Sequence, residues 1–191
     1  MAQWKTLTGE KIDSIYAWLE DTFRDAYDQN YDCMVYVGTD SQNVAANTSF
    51  VQVVAVHIIR DDGRGDGGRV FYVKHMERRY TSRPERLLRE AELSINLAQK
   101  INPVCDEWGI NFEVHADVHS DPGVNNQNKS HEVHDAVKGY VEGMGFVCKT
   151  KPEAWVASIV ADYHVRGVRS PNSQKSKKWK TRLRKNHRVN A

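Results

Sequence analysis

Four acids stand where their carboxylates can be brought together: Asp40, Glu90, Asp117 and Asp162. Asp40 follows the apolar run Met34-Val35-Tyr36-Val37-Gly38-Thr39, and Asp117 falls on the polar side of an alternation in which Phe112, Val114, Ala116 and Val118 separate Glu113, His115, Asp117 and His119. Two carboxylates about 4 Å apart repel by roughly 4 kcal/mol at an effective dielectric near 20, so four together are unstable without a cation. Oxygen donors suit hard ions such as Mg2+ or Mn2+. Two such ions about 4 Å apart can activate a water and stabilise the leaving oxygen when a phosphodiester is cut. The chemistry expected is hydrolysis with water as the nucleophile and no covalent intermediate.

Helical spacing selects Glu90 over its neighbour Glu92. Leu87, Glu90, Ala91, Ser94, Leu97, Ala98 and Ile101 form one stripe that is apolar or small except for Glu90, because residues three or four apart share a face. Glu92 lies with Leu88, Ile95, Gln99 and Asn102, a mixed and partly solvated face. Asp162 borders a small-residue face made by Ala154, Ser158, Ala161 and Val165. His115 and His119 share the strand face of Asp117, and His131 and His134 follow, so a histidine-containing zinc site is a weaker reading. His164 stands close enough to Asp162 in sequence to assist proton transfer.

The elements that must carry these residues can be read from periodicity. Residues 8–27 form an amphipathic helix through Ile12, Ile15, Trp18, Leu19, Phe23 and Ala26, with Thr8 placed to cap it. Residues 34–40 read as a buried strand ending at Asp40. Residues 50–59 and 69–75 read as two more, separated by a turn over 61–68 that holds four glycines. Pro84 sits near the first turn of a long helix that stops before Pro103 or soon after. A fourth strand covers 112–118. A polar loop over 120–129 leads to a helix with Val133, Val137, Tyr140, Val141 and Met144, ended by Gly145. Residues 146–148 form a last short strand, and Pro152 opens a final helix over about 153–165.

This order predicts an α/β fold with a mixed five-stranded sheet, order 3-2-1-4-5, strand 2 antiparallel, flanked by helices. Ligands bind such sheets near the carboxyl ends of the central parallel strands, here the ends that carry Asp40 and Asp117.

Composition divides the chain. The 191 residues have a formal net charge of +2, yet residues 166–188 hold ten Lys or Arg and no acid, leaving 17 bases against 25 acids before them. Lys175, Lys177, Lys178, Lys180, Arg182, Arg184 and Lys185 surround Trp179; such cations bind phosphates while an indole stacks on an unpaired base. Three parts are expected: an N-terminal helix over 1–30, a domain over 31–168 and a basic tail over 169–191. No run approaches the roughly 20 apolar residues of a membrane span. Cys33, Cys105 and Cys148 lack short metal-type spacing and read as reduced thiols in a cytoplasmic protein.

Several segments carry a resemblance: Val37-Gly38-Thr39-Asp40-Ser41-Gln42, the Glu90 helix, His115-Ala116-Asp117, Asn128-Lys129-Ser130, and Lys151-Pro152-Glu153-Ala154-Trp155 through Ala161-Asp162. Across roughly residues 31–165 the chain resembles the ribonuclease H-like superfamily, and within it the bacterial YkuK-like family of uncharacterised nucleases. The resemblance implies an acidic metal site with Asp40 on the first strand, Glu90 on the crossover helix, Asp117 on the fourth strand and Asp162 on the last helix. The function so implied is a metal-dependent nuclease acting on DNA or RNA. The rival reading is a non-catalytic nucleic-acid-binding module on the same fold, its affinity supplied by the tail.

Overall fold

The computed structural model describes residues 3–124 and 127–156. Its strands are β1 (Lys5–Thr6), β2 (Asp32–Val44), β3 (Asn47–Ile59), β4 (Gly65–Arg78), β5 (Asn111–His119) and β6 (Val147–Lys151). The helices are α1 (Ile15–Tyr27), α2 (Arg83–Glu107) and α3 (His134–Gly143), with a 3-10 turn over Lys129–Val133 ahead of α3. One sheet runs β1-β4-β3-β2-β5-β6. Pairings among β2, β3 and β4 are antiparallel, and those of β2 with β5 and of β5 with β6 are parallel. The five expected strands thus stand in the expected order, and β1 adds a sixth at the edge of β4.

That sixth strand comes from residues just before the expected helix. The chain turns at Gly9, whose φ of +93° is one that side-chain-bearing residues rarely adopt, and the Gly9 N–H donates to the Thr6 carbonyl at 2.9 Å. Lys5 pairs with Tyr72 of β4 on one side and bridges to Lys11 on the other. Thr8 therefore does not cap the helix. Ser14 does, its hydroxyl accepting from the Ala17 N–H at 3.3 Å. Ile12 fits the helical period because it is buried, 5% exposed, although it lies outside the helix.

α1 and α2 pack on one face of the sheet. Ile15, Leu19, Phe23 and Ala26 of α1 join Val35 and Val37 of β2, Val54 and Val56 of β3, and Leu97 and Ile101 of α2 in a single cluster. A second cluster sets Leu87, Ala91, Ile95 and Ala98 of α2 against Val114, Ala116 and Val118 of β5 and Val137 and Val141 of α3. Leu19 is wholly buried. Leu19→Ala should cost about 3 kcal/mol, from lost transfer energy and the cavity left behind. A single, earlier urea transition would show that α1 unfolds with the sheet.

Two boundaries differ from expectation. α2 continues past Pro103 to Glu107, anchored by Ile101 and Cys105, both fully buried; a proline there removes one N–H but not the packing of the turns around it. β2 runs four residues beyond Asp40 and turns tightly through Ala45 into β3, so Asp40 is interior to a strand. The Cys33, Cys105 and Cys148 thiols are free and buried. Burial pushes them up to about 11, 12 and 11, which leaves them un-ionised and poor nucleophiles near neutral pH. Among the described residues no helix is long and apolar enough to cross a membrane.

Candidate active site

The parallel pairing of β2 with β5 ends at Gly38 opposite His115. Two residues further on are Asp40 and Asp117, at the same level of two parting strands. Alternation decides their faces. On β2, Val35, Val37, Thr39 and Ser41 look toward α2, so Asp40 looks away from it. Its partner Val51 belongs to a third cluster, with Val53, Ala55 and Val156. On β5, Val114, Ala116 and Val118 pack against α2 and α3, which leaves Asp117 on the side of Asp40.

Asp117 also sits in a break of register. β5 pairs with β6 at His115 opposite Lys149 and next at His119 opposite Lys151, so residues 116–118 lie against residue 150 alone. Such bulges bend a strand and re-aim its side chains. Lys151, the last residue of β6, brings its Nζ to 2.5 Å from Asp117 Oδ1. That oxygen is buried and accepts no hydrogen bond of acceptable geometry. The contact is an ion pair without a directed hydrogen bond.

Glu90 approaches from the opposite face. It is 5% exposed in the first half of α2. The Ser41 hydroxyl donates to Glu90 Oε1 at 2.5 Å. Arg86, one turn earlier, donates through Nη1 to the Ser41 carbonyl at 2.6 Å and to the Ser41 hydroxyl oxygen at 3.1 Å. With that oxygen accepting from Arg86, the Ser41 proton is directed at Glu90. Burial pushes the Glu90 carboxyl up to about 8. The charge on Asp40 adds to this and that on Asp117 adds less, while the Ser41 hydrogen bond and Arg86 act the other way. The three carboxylates therefore share one field. Glu92, by contrast, has a side chain 43% exposed that pairs with Arg89 at 2.8 Å, so helical spacing picked out the buried acid.

Between α2, β2 and β5 lies a cleft of about 10 Å3, lined by Thr39, Glu90, Ser94 and Asp117 among others, room for one water. Ser94 Oγ bridges its wall, 2.8 Å from Thr39 Oγ1 and 2.9 Å from the Glu90 carbonyl. Sequence reading missed the roles of Ser41, Arg86 and Lys151. Arg86 was within reach of it, one helical turn before Glu90, and Ser41 follows Asp40 on the alternate face. Lys151 was not, because its approach depends on the register break.

The histidines are placed differently from the sequence expectation. His115 is 1% exposed, not on a solvated face. Its Nδ1 accepts from the Val156 N–H and its Nε2 lies 3.3 Å from Glu113 Oε2, contacts that a neutral ring protonated on Nε2 satisfies together. Burial lowers its pKa. The rings of Tyr36 and Trp155 close over it, with centroids 5.1 and 6.0 Å away. His119 offers its backbone N–H to Ser130 Oγ at 3.1 Å, and His134 Nδ1 pairs with Asp135 at 2.8 Å. Among the described residues no three Asp, Glu, His or Cys side chains converge as a group that could hold a metal ion, which supports neither the zinc reading nor a ready-made cluster of three carboxylates. The carboxylates are divided between two faces of the sheet, with Glu90 on Ser41 and Asp117 on Lys151. Asp162, His164 and the basic tail lie outside the described residues.

The donor set still suits a hard divalent ion. It is all oxygen, it includes a buried carboxylate oxygen lacking a hydrogen-bond donor, and Mg2+ commonly takes one or two carboxylates while keeping several waters.

The antiparallel meander, the crossover helix and the parallel central strands define a mixed-sheet α/β fold. The sequence profile of the Ribonuclease H-like family matches residues 15–166, and the chain belongs to that family. No curated protein and no solved structure matches it.

Proposed function

We propose that the protein is a metal-dependent nuclease that hydrolyses phosphodiester bonds of DNA or RNA, with Asp40, Glu90, Asp117 and Asp162 as its carboxylates and Mg2+ or Mn2+ as its ion. The observation that carries this reading is the placement of Asp40 and Asp117 at one level and on one face where β2 and β5 part, with Glu90 raised chiefly by burial and further by the charges on Asp40 and Asp117. A bound divalent ion would neutralise phosphate charge and acidify an attacking water. The chain's own residues do the rest. Ser41 and Arg86 fix the Glu90 carboxyl, β3 holds Asp40 through the ladder, and the bulge in β5 aims Asp117. Membership of the Ribonuclease H-like family favours a nucleic acid as the bound polymer. Three free thiols favour a reducing, cytoplasmic setting.

Titration of the wild-type protein with Mg2+ and Mn2+, followed by cleavage assays on labelled single-stranded, duplex, hybrid and junction substrates, tests the proposal. Metal binding with cutting supports it, and the substrate panel names the class. A wild type that neither binds metal nor cuts gives way to the second reading, a non-catalytic nucleic-acid-binding module. That reading draws on Lys151 and Ser41, which pair with Asp117 and hydrogen-bond to Glu90 without an ion.

In either case we assign phosphate contact to Lys175, Lys177, Lys178, Lys180, Arg182, Arg184 and Lys185, and base stacking to Trp179. Removing the residues after Arg169 should weaken nucleic-acid binding and flatten its dependence on salt, by about 0.9 in log–log slope for each duplex phosphate that the tail would otherwise neutralise. An unchanged slope in filter binding from about 50 to about 200 mM salt would remove the tail from the interface.

A further inference from the structure

We propose that Lys151 is a resident counter-cation of the acidic site, holding Asp117 until a divalent ion displaces it, so that metal loading is an exchange and not a simple addition. The inference rests on the metal-dependent reading above and adds to it a residue that sets how readily the site is loaded.

Three observations carry it. The first is burial: the Lys151 and Asp117 side chains are only 26% and 22% exposed, so their attraction is less screened than that of a surface pair. The second is the state of Asp117 Oδ1. It is buried and accepts no well-directed hydrogen bond, so the Lys151 ammonium 2.5 Å away supplies charge but not a directed donor. An oxygen so placed gains from a cation that imposes no donor direction. The third is the use of the other cations nearby. Lys149 pairs with Glu153 at 3.4 Å, Arg86 with Ser41, and Arg89 with Glu77 and Glu92. Among these bases Lys151 alone is paired with the Asp117 carboxylate.

The exchange follows from charge. Asp117 adds to the field that pushes Glu90 up, so an uncompensated Asp117 raises the repulsion within the site, and a single positive charge on Asp117 relieves part of it. A divalent ion offers twice the charge at similar distance and accepts oxygen donors without a directional requirement. Lys151 is tethered at the end of β6 beside Asp117, which gives it a high effective concentration. Entry of the ion must therefore overcome that local competitor, and the released ammonium remains next to any bound phosphate.

The test is calorimetric titration with Mn2+ of the wild type, Lys151→Gln and Lys151→Arg, with metal-free melting curves in EDTA alongside. Lys151→Gln should bind Mn2+ about tenfold more tightly than wild type and melt at a lower temperature without metal, while Lys151→Arg stays close to wild type in both. A readout in unmodified protein covers a Lys151→Gln that fails to fold: Mg2+ should shift the Lys151 side-chain ε resonances in NMR, and unmoved resonances at saturating Mg2+ overturn the exchange. Equal Mn2+ affinities, or weaker binding by Lys151→Gln, overturn it too and leave the metal-dependent reading standing. Failure of every form to bind Mn2+ sinks that reading and the exchange together.

Discussion

In metal-free buffer the wild-type protein should lose stability as the pH rises from about 4.5 to about 8, and Glu90→Gln should remove most of that loss. Glu90 carries the largest carboxyl shift in the described fold, from 4.5 up to about 8, with desolvation as the leading cause and Asp40 the next. A group whose folded pKa is raised holds its proton more tightly when folded. Its contribution is complete below the unfolded value and disappears as pH climbs through the folded one. At about 1.36 kcal/mol per unit the loss is at most about 5 kcal/mol. Glutamine keeps an oxygen that can accept from Ser41 and carries no charge at any pH. Urea unfolding in EDTA at about pH 5 and about pH 9, on either side of that window, reads the effect. Wild-type and variant stabilities that run parallel across it would show that Glu90 does not ionise against its surroundings. Saturating Mn2+ should shrink the effect, because a cation beside Glu90 opposes the charges that raise its pKa.

Asp40→Asn should lower divalent-dependent cleavage by about a thousandfold, about 4 kcal/mol of barrier. Asp40 is the carboxylate whose charge Glu90 feels most, so the same substitution should also lower the pH at which Glu90 titrates. The two readouts separate a site residue from a turn former. Initial rates on whichever labelled substrate the wild type cuts give the first, and the pH–stability curve gives the second. Activity within about tenfold of wild type would take Asp40 out of the active site.

Much of this arrangement was legible in residue order. The sheet order of β4, β3, β2, β5 and β6 followed from two rules, that neighbouring strands joined by tight turns pair antiparallel and that crossovers are right-handed. The choice of Glu90 over Glu92 followed from helical spacing, because a face lined by Leu87, Ala91 and Ala98 must be buried. Other features were hidden for physical reasons. The alternation in β5 was read as one wet face and one dry face, yet His115 is covered by Tyr36 and Trp155, partners distant in sequence. Periodicity reports burial and not the element that achieves it, which is why Ile12 made α1 look longer than it is. Asp40 was expected at a strand end because polar residues follow it. Those residues instead extend the hairpin, where Asn43 accepts from Thr48 at 2.5 Å and donates to the Tyr80 carbonyl at 2.9 Å.

The two strands that present the facing acids are unequal in stiffness. Every residue of β2, Asp40 included, has a partner in β3, and bending the chain at Asp40 would strain a continuous ladder. Asp117 stands where β5 has slipped against β6, so no regular pairing to β6 fixes its backbone, and Lys151 is the partner its carboxylate would have to exchange. The site thus has a fixed jaw and a compliant one. Whatever enters must fit the position of Asp40, while Asp117 adjusts to it.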